Sequence, residues 1–78
     1  MARDVEEAAR RGVRHAREWL RTEMTDAHDL ALEIRVSEAS RRDCGEERDA
    51  AGWCYWDAYI QELQYAQQEK KANGGDGA

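Results

Sequence analysis

The chain has no proline and no phenylalanine, and only three of its six glycines, Gly12, Gly45 and Gly52, stand outside the terminal Gly74-Gly75-Asp76-Gly77. With so few breakers, and with Ala, Arg, Glu, Gln and Leu abundant, propensity points to helix almost throughout. No run reaches the roughly 18 apolar residues of a membrane span, and the N-terminus lacks the basic-then-apolar layout of a secretory signal. The expected location is the cytoplasm, away from membranes, where Cys44 and Cys54 stay reduced. If both face a turn between helices, oxidation would bridge them.

Motifs for chemistry are equally scarce. Twelve residues separate His15 from His28 and nine separate Cys44 from Cys54, without the close ligand pairs that build a zinc site. Neither histidine follows a glutamate by three positions, which removes a carboxylate-bridged di-metal bundle. No phosphate loop is present, and no histidine is fixed beside a cysteine to activate it. The expectation is a protein that is not an enzyme and carries no metal or cofactor.

What is present is an aromatic cluster. Five of the six aromatic residues fall between Trp53 and Tyr65, with Trp19 elsewhere. At about 100° per residue, Trp53, Trp56, Ile60 and Leu63 form one helical stripe, Tyr55, Tyr59 and Ala66 flank it, and Ala51, Cys54, Ala58 and Tyr65 take a further face. Asp57, Gln61, Gln64 and Gln68 are the only polar seam. A helix apolar on most sides must be covered on more than one, by its own chain or by a partner. Trp53, Trp56, Tyr59, Ile60 and Leu63 are therefore candidate partner-binding residues, since aromatic anchors dominate interface energetics. No lysine or arginine lies between Trp53 and Ala66, which disfavours stacking on nucleic acid.

Upstream, residues 3–22 read as an amphipathic helix with Val5, Ala8, Ala9, Gly12, Ala16, Trp19 and Leu20 on one side and Val13 and Met24 at its edges. Ala8, Gly12 and Ala16 offer a shallow seat for large rings. Gly12 costs about 1 kcal/mol against alanine in a helix interior, so it either permits a close approach or is merely tolerated. The opposite face carries Arg3, Arg10, Arg14, Arg17 and Arg21. Glu6–Arg10, Glu7–Arg11 and Arg14–Glu18 at i,i+4 spacing predict a solvated, salt-bridged surface. The alternative is contact of Arg10, Arg14, Arg17 and Arg21 with phosphates or an acidic protein surface.

A break follows over 22–29, with Thr25 or Asp26 as N-cap. Leu30, Leu32, Ile34 and Val36 then alternate with Ala31, Glu33, Arg35 and Ser37, the period of a half-buried strand. As a helix, the same stretch places Ala27, Leu30, Ala31 and Ile34 on one face and Leu32, Val36 and Ala39 on another. Propensity and the lack of a second strand favour the helix over an intermolecular strand pair. Gly45 is expected to end it in the left-handed conformation, and Asp43 with Glu46 to cap a third helix from about Glu46 to Lys71, stopped at Asn73-Gly74-Gly75.

The pattern predicts an all-α domain over 1–72, a small antiparallel helical hairpin or three-helix bundle completed by dimerisation, and a flexible Gly-rich tail over 73–78. The chain is acidic, net −5, yet residues 1–21 hold six basic and four acidic side chains while 22–49 hold four and nine, a segregation that suits pairing within the fold or between copies. The expected function is a protein–protein interaction module acting on itself or a target through the aromatic helix. In size and composition the chain resembles viral or mobile-element inhibitors of host machinery, anti-CRISPR proteins among them, and that resemblance implies inhibition by occupying a target's surface. The alternative is a nucleic-acid-associated regulator using the arginine stripe.

Overall fold

The computed structural model describes the backbone of residues 2–23 and 26–77 and the side chains of 4–23 and 26–69. Met24, Thr25 and the side chains of Arg3, Lys70 and Lys71 lie outside the described residues. Three helices follow in order, α1 (Ala2–Thr22), α2 (Ala27–Glu46) and α3 (Ala50–Gly77), with no strand among the described residues. The hairpin alternative gives way to a three-helix arrangement.

Asp4 in the first turn of α1 and Arg21 in its last complement the helix dipole. At its end, Thr22 Oγ1 donates to the carbonyl of Glu18 at 2.8 Å and the Glu23 N–H to that of Trp19 at 2.8 Å. Asp26 then opens α2 from an extended conformation, its Oδ1 accepting the Asp29 N–H at 2.9 Å, which satisfies one of the donors a helix start leaves free. The alternating segment 30–37 is helical. Its backbone is satisfied within the helix and leaves no ladder to offer a second chain.

The α2–α3 turn differs from its expected form. Gly45 stays inside α2, and the left-handed residue is Arg48, φ 58°. The Arg48 N–H reaches the Gly45 carbonyl at 3.2 Å and the Asp49 N–H the Cys44 carbonyl at 2.8 Å, the paired bonds of a Schellman ending. Asp43 and Glu46 therefore belong to α2 and cap nothing. Asp49 starts α3 instead, accepting the Gly52 N–H on Oδ1 at 3.0 Å and the Trp53 N–H on its carbonyl at 2.9 Å. At its far end the helical backbone of α3 runs to Gly77, past the stop expected at Asn73.

α3 is the spine: α1 and α2 both pack along it and touch each other only marginally. Gly12 of α1 meets Tyr55 and Tyr59, and Arg17 meets Glu62 further along, so α1 runs parallel to α3. Arg41 meets Asp57 and Glu33 meets Tyr59, so α2 runs antiparallel. The buried core is Ala16 from α1, Leu30 and Ile34 from α2, and Tyr59, Ile60 and Leu63 from α3, with Trp19, Leu20 and Trp56 packed against it. Leu30, Ile60 and Leu63 are completely enclosed, each contributing about 1.5–3 kcal/mol. Gly12 has a packing role, because a Cβ there would overlap the Tyr55 carbonyl oxygen.

Candidate partner-binding surface

The aromatic helix divides its side chains between two tasks. Tyr59, Ile60 and Leu63 are spent on the chain's own core. Tyr59 is held there by a 2.6 Å hydrogen bond from its hydroxyl to Glu33 Oε2. Burial, and then that carboxylate, push the Tyr59 hydroxyl far above its ordinary pKa. Trp56 is half-buried, edge-on to Tyr55 at 4.9 Å and to Tyr59 at 5.4 Å between ring centroids. Such pairs add about 0.5–1.5 kcal/mol beyond area burial. Trp53 alone of the five candidates is exposed, at 40%.

Around Trp53 the surface is built by α2. Arg41 Nη1 donates to Asp57 Oδ1 at 2.7 Å, while its guanidinium carbon lies 5.5 Å from the centroid of the Trp53 ring. One side chain thus ties the helices together and holds the indole in a cation–π contact. Shallow depressions flank the ring, one lined by Glu38, Arg41 and Arg42, the other by Cys44, Arg48 and Cys54.

The second apolar surface lies on α2. Leu30 and Ile34 are buried, whereas Leu32 and Val36 are 52% and 56% exposed and Ala39 is open beside them in sequence spacing. The two-faced helix read from the sequence is realised, with one face satisfied by α3 and the other facing solvent. On α3, Tyr65 is a further exposed ring, at 64%.

The arginine stripe is also on the surface. Arg10, Arg14, Arg17 and Arg21 line a shallow groove with Val13 and Glu18. Arg17 Nε donates to Glu62 Oε1 at 2.9 Å. None of the expected Glu6–Arg10, Glu7–Arg11 and Arg14–Glu18 pairs closes, and among the described residues Arg10, Arg14 and Arg21 meet no carboxylate. Exposed pairs of this kind gain little over hydration, so water competes effectively for them.

His15 is exposed, and its Nδ1 lies 2.7 Å from the Tyr55 hydroxyl. His28 is exposed in the first turn of α2. No group of three or more His, Cys, Asp or Glu among the described residues is placed to hold a metal ion, and no described helix is long and apolar enough to cross a membrane. The cross-helix contacts Arg17–Glu62, Arg41–Trp53 and Glu33–Tyr59 had no local signal in the sequence. The chain is an all-α, three-helix domain. No family model, curated protein or solved structure matches it.

Proposed function

We propose that the protein is a non-enzymatic interaction module that associates with itself and with a protein target through apolar surface left over from its own core. Its contact residues are Trp53, the open edge of Trp56, Leu32 and Val36, while Tyr59, Ile60 and Leu63 hold the aromatic helix in place. The single observation that supports it is the outer face of α2, where two large aliphatic side chains one turn apart are more than half exposed. Exposed apolar surface of this kind on a small acidic domain is costly to keep wet and is a common mark of an interface. Inhibition of host machinery by a viral or mobile-element protein is a use that fits such a module, which acts by covering a target rather than by chemistry.

Val36→Glu tests it. The change lies on solvent-exposed helix, so helicity is retained and monomer stability moves by no more than about 0.5 kcal/mol, while light scattering shows loss of the wild-type homodimer. A wild-type chain that is monomeric at high micromolar concentration and captures no target defeats the proposal.

A second reading rests on Arg10, Arg14 and Arg21, which lack carboxylate partners among the described residues. A nucleic-acid-associated regulator using them would bind with an affinity that falls linearly with log salt, and Arg14→Ala would flatten the slope by about one unit. The acidic net charge disfavours this, and no binding to DNA or RNA is expected at physiological salt.

A further inference from the structure

The fold leaves a second face unused, on the outer side of α1. Arg10, Arg14, Arg17 and Arg21 recur at steps of four, three and four residues, so they stand in one exposed line over three turns, about 16 Å long. Gly12 and Ala16, on the other side of the helix, are the residues it buries. Val13 belongs both to the arginine groove and to a second depression between α1 and α3, which Ala58, Gln61, Glu62 and Tyr65 complete. The 2.9 Å bridge from Arg17 to Glu62 stands between the two. It neutralises Glu62 and leaves Arg10, Arg14 and Arg21 without a carboxylate among the described residues. Beside these cations lie an apolar floor, half-buried Val13 and Ala58, and the open ring of Tyr65.

We propose that this α1–α3 groove docks an acidic amphipathic helix of a target protein, with carboxylates on Arg10, Arg14 and Arg21 and an apolar edge over Val13, Ala58 and Tyr65. Carboxylates one turn apart on a helix match the arginine spacing, and each guanidinium fork takes a carboxylate through two hydrogen bonds. Arginine and tyrosine are also the side chains that anchor protein interfaces. A phosphate backbone would leave the Val13–Ala58 floor uncovered, and one open ring is not the run of platforms on which single strands stack. The chain's net charge of −5 repels a long polyanion more than it repels a short acidic helix. The site rests on the reading of the protein as an interaction module and names the chemistry of its target. It leaves the outer face of α2 for a second copy.

The probe is a fluorescein-labelled peptide of about four helical turns, with glutamates at i, i+4 and i+7 and leucines beside them, titrated with the whole protein and followed by anisotropy. Binding is expected at micromolar concentration in low salt and about tenfold weaker in about 0.5 M salt. Arg14→Glu should weaken it at least about tenfold and Tyr65→Ala about fivefold, with helicity by circular dichroism retained. Arg42→Glu makes the same charge change on exposed α2 surface and should leave binding within about twofold, because a distant surface charge is screened. Val36→Glu should also leave it intact. A chain that dimerises but ignores the peptide in low salt overturns the docking groove and leaves the α2 association standing. An equal loss with Arg42→Glu, or tighter binding to a DNA oligonucleotide of equal charge or to phosphatidylserine vesicles, would overturn it as well.

Discussion

At Gly12 the backbone of α1 lies against that of α3. A methyl group there would overlap the Tyr55 carbonyl oxygen and stand 3.1 Å from its carbonyl carbon and 3.2 Å from the Tyr59 nitrogen. These are main-chain atoms and cannot rotate aside. Gly12→Ala gains about 1 kcal/mol of helix propensity, but forced separation of the helices outweighs it, so a net loss of about 1–3 kcal/mol is expected in urea unfolding. A stabilised variant would show that α1 yields freely. Tyr59 makes a second residue-scale prediction. Its folded pKa is raised above the unfolded value of about 10, so its stabilisation is complete below that pH and is lost as pH rises through the folded value. Urea midpoints should therefore decline above about pH 10, by up to about 1.4 kcal/mol per unit for this group. Tyr59→Phe should make the decline shallower, leaving a remainder from Tyr55 and Cys44, which burial displaces in the same direction.

The elements are joined by two short breaks of different quality. The α1–α2 break closes on an aspartate N-cap, which needs no special backbone. The α2–α3 break passes through Arg48 at φ 58°, where a side chain with a Cβ costs roughly 1–2 kcal/mol and glycine almost nothing. Arg48 has no ion pair among the described residues, so little is lost with its side chain. Arg48→Gly should raise stability by about 1 kcal/mol, read as a higher urea midpoint with an unchanged slope. A fall in the midpoint would mean that the arginine side chain contributes more than the backbone strain it carries.

As a whole, the molecule is two helices laid along a third, with one closed core and an outer face of α2 that nothing among the described residues covers. At 78 residues the total stability expected is on the order of 5–10 kcal/mol, so association is a sizeable term. For the proposed homodimer, the melting temperature should rise with protein concentration across the micromolar range, as mass action requires. Trp56→Ala should then lower stability by about 2 kcal/mol, less than the 3–5 of a fully enclosed tryptophan, and weaken the dimer together with the fold. A melt independent of concentration, or a Trp56→Ala protein as stable and as associated as the parent, would contradict this.

The amino-acid sequence by itself determined the all-helical character, a break within 22–29 and the two-faced character of residues 27–39, because periodicity, propensity and capping act within a few residues of chain, while it left a hairpin and a three-helix bundle both open. It also carried the aromatic helix as the element on which the others pack. It did not decide how each apolar face is spent. Leu30 and Ile34 went inward while Leu32 and Val36 stayed out, and Tyr59, Ile60 and Leu63 closed the core while Trp53 remained open. Local pattern makes either face of α2 equally good, and only the fit against α3 separates them. The same holds for charge: the Glu6–Arg10, Glu7–Arg11 and Arg14–Glu18 pairs did not close, whereas Arg17 found Glu62, 45 residues away, and Arg41 found Asp57 across the turn. Tertiary packing also moved the left-handed residue from Gly45 to Arg48 and turned Gly12 from a propensity cost into a requirement. Where α2 stops and how near α1 may come are settled by contacts between helices, which no local window contains.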